Sequence, residues 1–155
     1  MKECDDNRKR RRPMLRIERS VWNDMIGYCR SALPDEACGV LLGESGDETS
    51  TIRHWRPIPN RASLRDRAFA FDPAAWIRVW YEADAAGRVP LGIFHSHPGA
   101  PAVPSPEDAA GNGSGLPTYW IVSFVPQGGC DVRAYTLAES SNEAARYAVS
   151  PFRIV

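Results

Sequence analysis

Ala37-Cys38-Gly39-Val40-Leu41-Leu42-Gly43 is a short run of apolar and small residues, with Pro34 just before it and the polar stretch Glu44–Ser50 just after. A run of this length bracketed by breakers reads as a buried strand rather than a surface helix. A second run, Val89–Phe94, stops at His95-Ser96-His97-Pro98. A third, Tyr119–Val125, passes through Gln127-Gly128-Gly129 into Asp131–Leu137. The Gly128-Gly129 pair is a hairpin signal. Helical spacing occurs at two places. Ser20 reads as the N-cap of a helix with Trp22, Met25, Ile26, Cys29 and Leu33 on its apolar side, closed by Pro34. Asp72-Pro73 is an N-cap followed by proline at the first helical position. It opens a second helix with Trp76, Val79, Trp80 and Ala83 facing inward and Gly87 at its end. Met14–Glu18 and Thr51–Pro57 read as further strands, and Tyr147–Val155 as an edge strand weakened by Pro151. Residues 60–70 alternate charged and small groups without a period and read as a loop. Because strands and helices mix without a regular βαβ alternation, the expected fold class is α+β. It is a single domain with a mixed, mostly antiparallel sheet flanked by two main helices.

The chain has 155 residues, 43% hydrophobic and 25% charged, which fits one globular domain. A domain of this size buries roughly 70% of its unfolded surface, so it needs neither disulfides nor metal to hold a core. No stretch approaches the ~20 apolar residues of a membrane span, and no apolar run follows the N-terminal charges. Cysteines stand at 4, 29, 38 and 130 without any C-x-x-C pair. Cys29 and Cys38 read as buried free thiols of a reducing cytoplasm. The net charge is zero, which argues against a dedicated nucleic-acid binder. One segment departs from this balance: residues 1–12 carry +3, leaving −3 for the rest. Residues 1–13 are therefore read as a disordered basic leader and 14–155 as the domain. The competing reading of the leader is an electrostatic arm for an acidic partner or nucleic acid.

The chemistry concentrates between Phe94 and Asp108. On an extended chain residues i and i+2 share a face, so His95 and His97 can aim both imidazoles at one point. Pro98 stops the strand, and a proline-rich loop then delivers Asp108, which can complete a two-histidine, one-carboxylate metal site with an open position. Each piece also has a plain reading. An H-x-H pair occurs on ordinary surfaces and in cores. Ser105-Pro106-Glu107-Asp108 is a good helix start, with Ser105 as N-cap. Glu36 alone is an unremarkable acid before a strand.

The combination and its order carry more than the pieces do. His95-Ser96-His97-Pro98, the spacer to Pro104, and Ser105-x-x-Asp108, with Glu36 upstream beside a buried strand, resemble the JAMM (MPN-plus) zinc metalloprotease signature. Pro34-Asp35-Glu36-Ala37-Cys38-Gly39-Val40-Leu41-Leu42-Gly43 is similar to the glutamate segment of the family's small prokaryotic members, and the likeness runs over roughly residues 14 to 138. The resemblance implies one catalytic Zn²⁺ held by His95, His97 and Asp108, with water or hydroxide as the fourth ligand. It implies Glu36 as general base and Ser105 as donor to the oxygen of the tetrahedral intermediate. Asp35 and Glu107 fit the pattern less well, and His54 has no place in it. Zinc deaminase chemistry is disfavoured because H-x-E and C-x-x-C are both missing, as is the H-E-x-x-H protease motif.

The same resemblance implies a substrate. Family members cleave amide or isopeptide bonds after the C-terminal glycines of ubiquitin-like proteins. The leading expectation is therefore a peptidase acting after the Gly-Gly terminus of a ubiquitin-like or sulfur-carrier protein, for example releasing cysteine from a carrier adduct. The second is an isopeptidase that removes a ubiquitin-like modifier from lysines. The third is a non-catalytic scaffold. Nothing in the sequence specifies an oligomeric state.

Overall fold

The computed structural model describes residues 14–111, 115–137 and 147–155. The basic leader expected at 1–13 lies outside the described residues. Strand β1 (Leu15–Ile17) leads straight into helix α1 (Arg19–Ser31). The helix starts two residues earlier than Ser20 as N-cap would allow. Glu18 occupies the cap position in an extended conformation and makes no side-chain cap bond. Sheet pairing sets this boundary: the Glu18 N–H donates to Ile52 O at 3.0 Å and the Arg19 N–H to Val155 O at 2.8 Å, so the strand hands its last amides to neighbours before the helix begins.

Strand β2 (Cys38–Glu44) follows as expected. The segment read as one strand, Thr51–Pro57, is two: β3 (Thr51–Ile52) and β4 (His54–Ile58). The chain changes partner at Arg53, because β3 pairs with β1 in a small parallel sheet while β4 pairs with β2. Helix α2 (Pro73–Ala85) begins where Asp72-Pro73 predicts, with Asp72 Oδ1 accepting the Ala75 N–H at 2.9 Å. Then come β5 (Arg88–His97), the short helix α3 (Pro106–Gly111), β6 (Thr118–Ser123) and β7 (Asp131–Leu137). Pro151 does more than weaken the last strand. It separates β8 (Tyr147–Ser150), at the edge of the main sheet, from β9 (Phe152–Ile154), which pairs with β1.

The main sheet runs β4-β2-β5-β6-β7-β8, with β5 and β6 parallel and the other neighbours antiparallel. The second sheet, β3-β1-β9, is an addition to what the sequence suggested. Strand alternation divides the core in two. Val21, Met25 and Cys29 of α1 pack with Leu41, Phe94, Trp120 and Val122. Val79 and Ala83 of α2 pack with Val40, Ile93, Tyr119 and Ile121. Two expected inward residues do not fit: Trp80 is 38% exposed, and Leu33 lies beyond the end of α1 at 41%. Cys29 and Cys38 are buried free thiols, as expected.

The parallel β5–β6 contact is close at Gly92, where a Cβ would lie 2.8 Å from the Thr118 carbonyl oxygen and nearer still to its hydroxyl. Only glycine lets the two strands meet there. Among the described residues, no helix is long and apolar enough to cross a membrane.

Candidate metal centre and its surroundings

β5 ends on His95-Ser96-His97, and alternation turns both histidines toward the α2 side while Ser96 faces the α1 side. His95 is fully buried and His97 is 4% exposed. Phe69 stacks on the His95 ring at 4.5 Å between centroids, and Tyr119 tilts against it at 5.2 Å.

The loop after Pro98 is pinned at three carbonyls. The Ser123 hydroxyl donates to Ala100 O at 2.6 Å, His97 Nδ1 to Pro101 O at 2.7 Å, and the Tyr135 hydroxyl to Ala102 O. The loop ends in the cap predicted from the sequence. Ser105 Oγ accepts the Asp108 N–H at 3.1 Å, and the Ser105 N–H donates to Asp108 Oδ2 at 2.8 Å. This reciprocal capping fixes Asp108 in the first turn of α3, with its carboxylate turned back toward the histidines.

Three side chains therefore converge. His95 Nε2 and His97 Nε2 lie 2.9 Å apart, and each is 3.2 Å from a different oxygen of Asp108. A carbonyl oxygen can only accept, so His97 Nδ1 carries a proton, which leaves Nε2 as the nitrogen a cation at the centre would displace a proton from. Burial pushes the His95 imidazole below its ordinary pKa, so it too is available as a neutral ligand. Burial acts the same way on His97, but hydrogen bonds to Asp108 and to the Pro101 carbonyl outweigh it and raise the value. Burial pushes Asp108 up, yet both histidines hold its carboxyl well below the usual carboxylate range. The result is a buried carboxylate facing two ring nitrogens, a field that favours a cation between them. His95, His97 and Asp108 are a group that can hold a metal ion, and two nitrogens plus one carboxylate suit a zinc site with a free coordination position.

Glu36 reaches this centre across 59 residues of sequence. Cys38 pairs with His95 in the antiparallel β2–β5 ladder, so the residues before Cys38 continue toward His97. Glu36 is 6% exposed, and its Oε2 is buried without a hydrogen-bond partner among the described residues. Burial lifts its carboxyl from 4.5 to about 7, helped by Asp108 and opposed by His97. A carboxylate so placed holds or releases a proton near neutrality.

Asp35 and the third histidine lie elsewhere. Asp35 pairs with Arg65 at 3.4 Å on the surface, and His54 Nε2 meets Glu44 at 2.5 Å. Several residues of the surroundings escaped the sequence reading. Asn60, Phe69 and Tyr119 all border the centre, and the Tyr147 hydroxyl donates to the Asp108 carbonyl at 3.3 Å. Tyr119 was detectable as the alternation partner of Ile121. Phe69 and Phe71 were detectable as aromatics in an otherwise polar loop.

Comparison with known proteins finds relatives over most of the chain. The family model described as prokaryotic homologs of the JAB domain matches residues 18–138. A CysO-cysteine peptidase of Mycobacterium tuberculosis is 36% identical over 96 residues, which span 61% of this chain and 63% of that relative. A probable TtuB-protein conjugate cleaving protease of Thermus thermophilus is 28% identical over 131 residues, 84% of this chain and 81% of that protein. Among solved structures, a protein from Desulfitobacterium hafniense superposes with a TM-score of 0.75 at 26% identity, covering 91% of this chain and 92% of that one.

Proposed function

The chain belongs to the family of prokaryotic homologs of the JAB domain, and from that membership and the geometry we propose a zinc-dependent peptidase. It hydrolyses the amide bond after the C-terminal Gly-Gly of a ubiquitin-like or sulfur-carrier protein. The observation that carries this reading is the convergence of two imidazole nitrogens and a carboxylate beside a buried Glu36 oxygen that has no hydrogen-bond partner among the described residues. The mycobacterial and Thermus relatives, named for acting on CysO-cysteine and on TtuB-protein conjugates, support the substrate class.

His95, His97 and Asp108 hold a single Zn²⁺ in this reading. When bound, zinc supplies Lewis acidity toward the scissile carbonyl and lowers the pKa of water toward ~7. Glu36 Oε2 takes a proton from the attacking water and passes it to the leaving amine nitrogen. Ser105 Oγ already accepts the Asp108 amide, and its hydroxyl proton would donate to the oxyanion of the tetrahedral intermediate. A Gly-Gly terminus suits a centre this enclosed, because glycine lets the substrate backbone approach closely. The buried free thiols support a reducing, cytoplasmic setting.

The deciding experiment pairs metal analysis with turnover of a small ubiquitin-like carrier bearing one amino acid after its Gly-Gly. Stoichiometric zinc and chelator-sensitive release of that amino acid are the expected result. Zinc without release, together with cleavage of lysine-linked conjugates, favours the isopeptidase, a second reading that the Thermus relative supports. Neither zinc nor cleavage overturns both.

A further inference from the structure

Glu36 and Ala37 lie just outside β2, so no regular ladder accounts for their backbone groups, yet all four are bonded. The Glu36 N–H donates to Arg65 O at 2.6 Å, and Glu36 O accepts from Asn60 Nδ2 at 3.0 Å. The Ala37 N–H donates to Ser96 Oγ at 2.8 Å, and Ala37 O accepts the Ser96 N–H at 2.9 Å. Two bonds come from the 60–70 loop and two from the residue between the histidines.

Both side chains involved are anchored in the fold, Ser96 also through a side-chain hydrogen bond with Cys29. Ser96 is fully buried on the face opposite the metal centre, where its hydroxyl takes the place of a carbonyl that the ladder does not provide to Ala37. Asn60 uses its whole hydrogen-bonding capacity. Its Nδ2 donates to Glu36 O and to Ala68 O at 2.9 Å, and its Oδ1 accepts the N–H groups of Ala62 and Ala70, both at 3.0 Å. The loop is closed on itself and tied to Glu36 by one amide. The same loop presents Phe69 to the His95 ring.

The Glu36 carboxylate has no comparable hold. Its Oε2 is buried and has no hydrogen-bond partner among the described residues. The backbone is therefore what keeps it at the centre. We propose that Asn60 and Ser96 are positioning residues for the general base, bracing the Glu36–Ala37 segment from two sides so that the carboxylate faces the ligand set. This rests on the reading of Glu36 as the base.

The test uses the zinc-loaded full chain and the carrier substrate described above. Asn60→Asp keeps the acceptors for Ala62 and Ala70 but deletes the donor to Glu36 O. Ser96→Ala deletes the acceptor for Ala37, and Ser96→Thr restores it. Amide hydrogen exchange at Ala37 is followed in the same proteins. Both deleting variants lower kcat by about 10- to 100-fold, the scale of a small misplacement of a reacting group. KM and zinc affinity stay within about twofold, so the loss lies in the chemical step. Ser96→Ala loses protection at the Ala37 amide, and Ser96→Thr recovers both protection and turnover. Unchanged kcat in the folded variants, or zinc affinity falling in step with kcat, overturns the proposal. Should Glu36→Gln retain full turnover, the base reading itself fails, and that failure is separable because Ala37 protection then still depends on Ser96.

Discussion

The Nε2 atoms of His95 and His97 face each other at 2.9 Å in the protein interior, with the two oxygens of Asp108 closing the triangle. Two buried ring nitrogens at this separation repel unless a proton or a metal cation lies between them. His97→Ala and Asp108→Asn each remove one corner. Either substitution is expected to weaken zinc binding by more than the ~10- to 100-fold that follows loss of a mere supporting partner of a metal ligand. Zinc titration against a competing chelator measures this, and full affinity in both variants would discredit the ligand set.

Glu36 has a separable role. Glu36→Gln conserves shape but cannot carry a proton between water and amine, so kcat is expected to drop by about 10²- to 10⁴-fold. Zinc content stays at the wild-type level. Steady-state kinetics with parallel metal analysis checks both halves.

The same carboxyl couples stability to pH. Burial raises its folded value to about 7 from an ordinary 4.5, so the folded state holds the proton through that window while the unfolded state releases it. Stability contributed by the neutral carboxyl is present below the unfolded value and is lost as pH rises through the folded one. Glu36→Gln removes this dependence. In metal-stripped protein its melting temperature relative to wild type is expected to climb between about pH 5 and about pH 8. Parallel thermal melts across that range decide the matter, a constant difference being the contrary outcome.

Gly92 makes a prediction about the scaffold. A methyl group there meets the Thr118 carbonyl and hydroxyl and forces β5 away from β6. Gly92→Ala is expected to cost about 1–3 kcal/mol by overpacking. Because β5 carries both histidines, zinc affinity should fall with it. Chemical denaturation and zinc titration test the two effects, and an unaffected variant would mean the strands separate without consequence.

Much of the centre was legible along the chain because its ingredients are local. The shared face of His95 and His97 follows from strand alternation, and the delivery of Asp108 follows from a Ser105 cap with proline after it. Asp72-Pro73 marked the start of α2 for the same reason. Long-range partners were not legible. Ser20 looked like a cap, but pairing of Glu18 and Arg19 with Ile52 and Val155 started the helix earlier. Thr51–Pro57 looked continuous, but its halves pair with different strands. Trp80 matched the helical stripe of α2, yet it stands partly in solvent while Trp76 packs against the core.

By itself the sequence determined the local setting of His95, His97 and Asp108, because cap chemistry and side-chain periodicity act over a few residues and need no knowledge of the rest of the chain. Glu36 and Ser105 were pointed to as catalytic groups by the resemblance alone. Only the tertiary structure decided how those groups meet. The Cys38–His95 register brings Glu36 to a centre 59 residues away in sequence, and the Asn60 amide ties a polar loop to its backbone. Both depend on pairing between distant segments, which is set by how the sheet closes and how its core packs, and no local pattern encodes it.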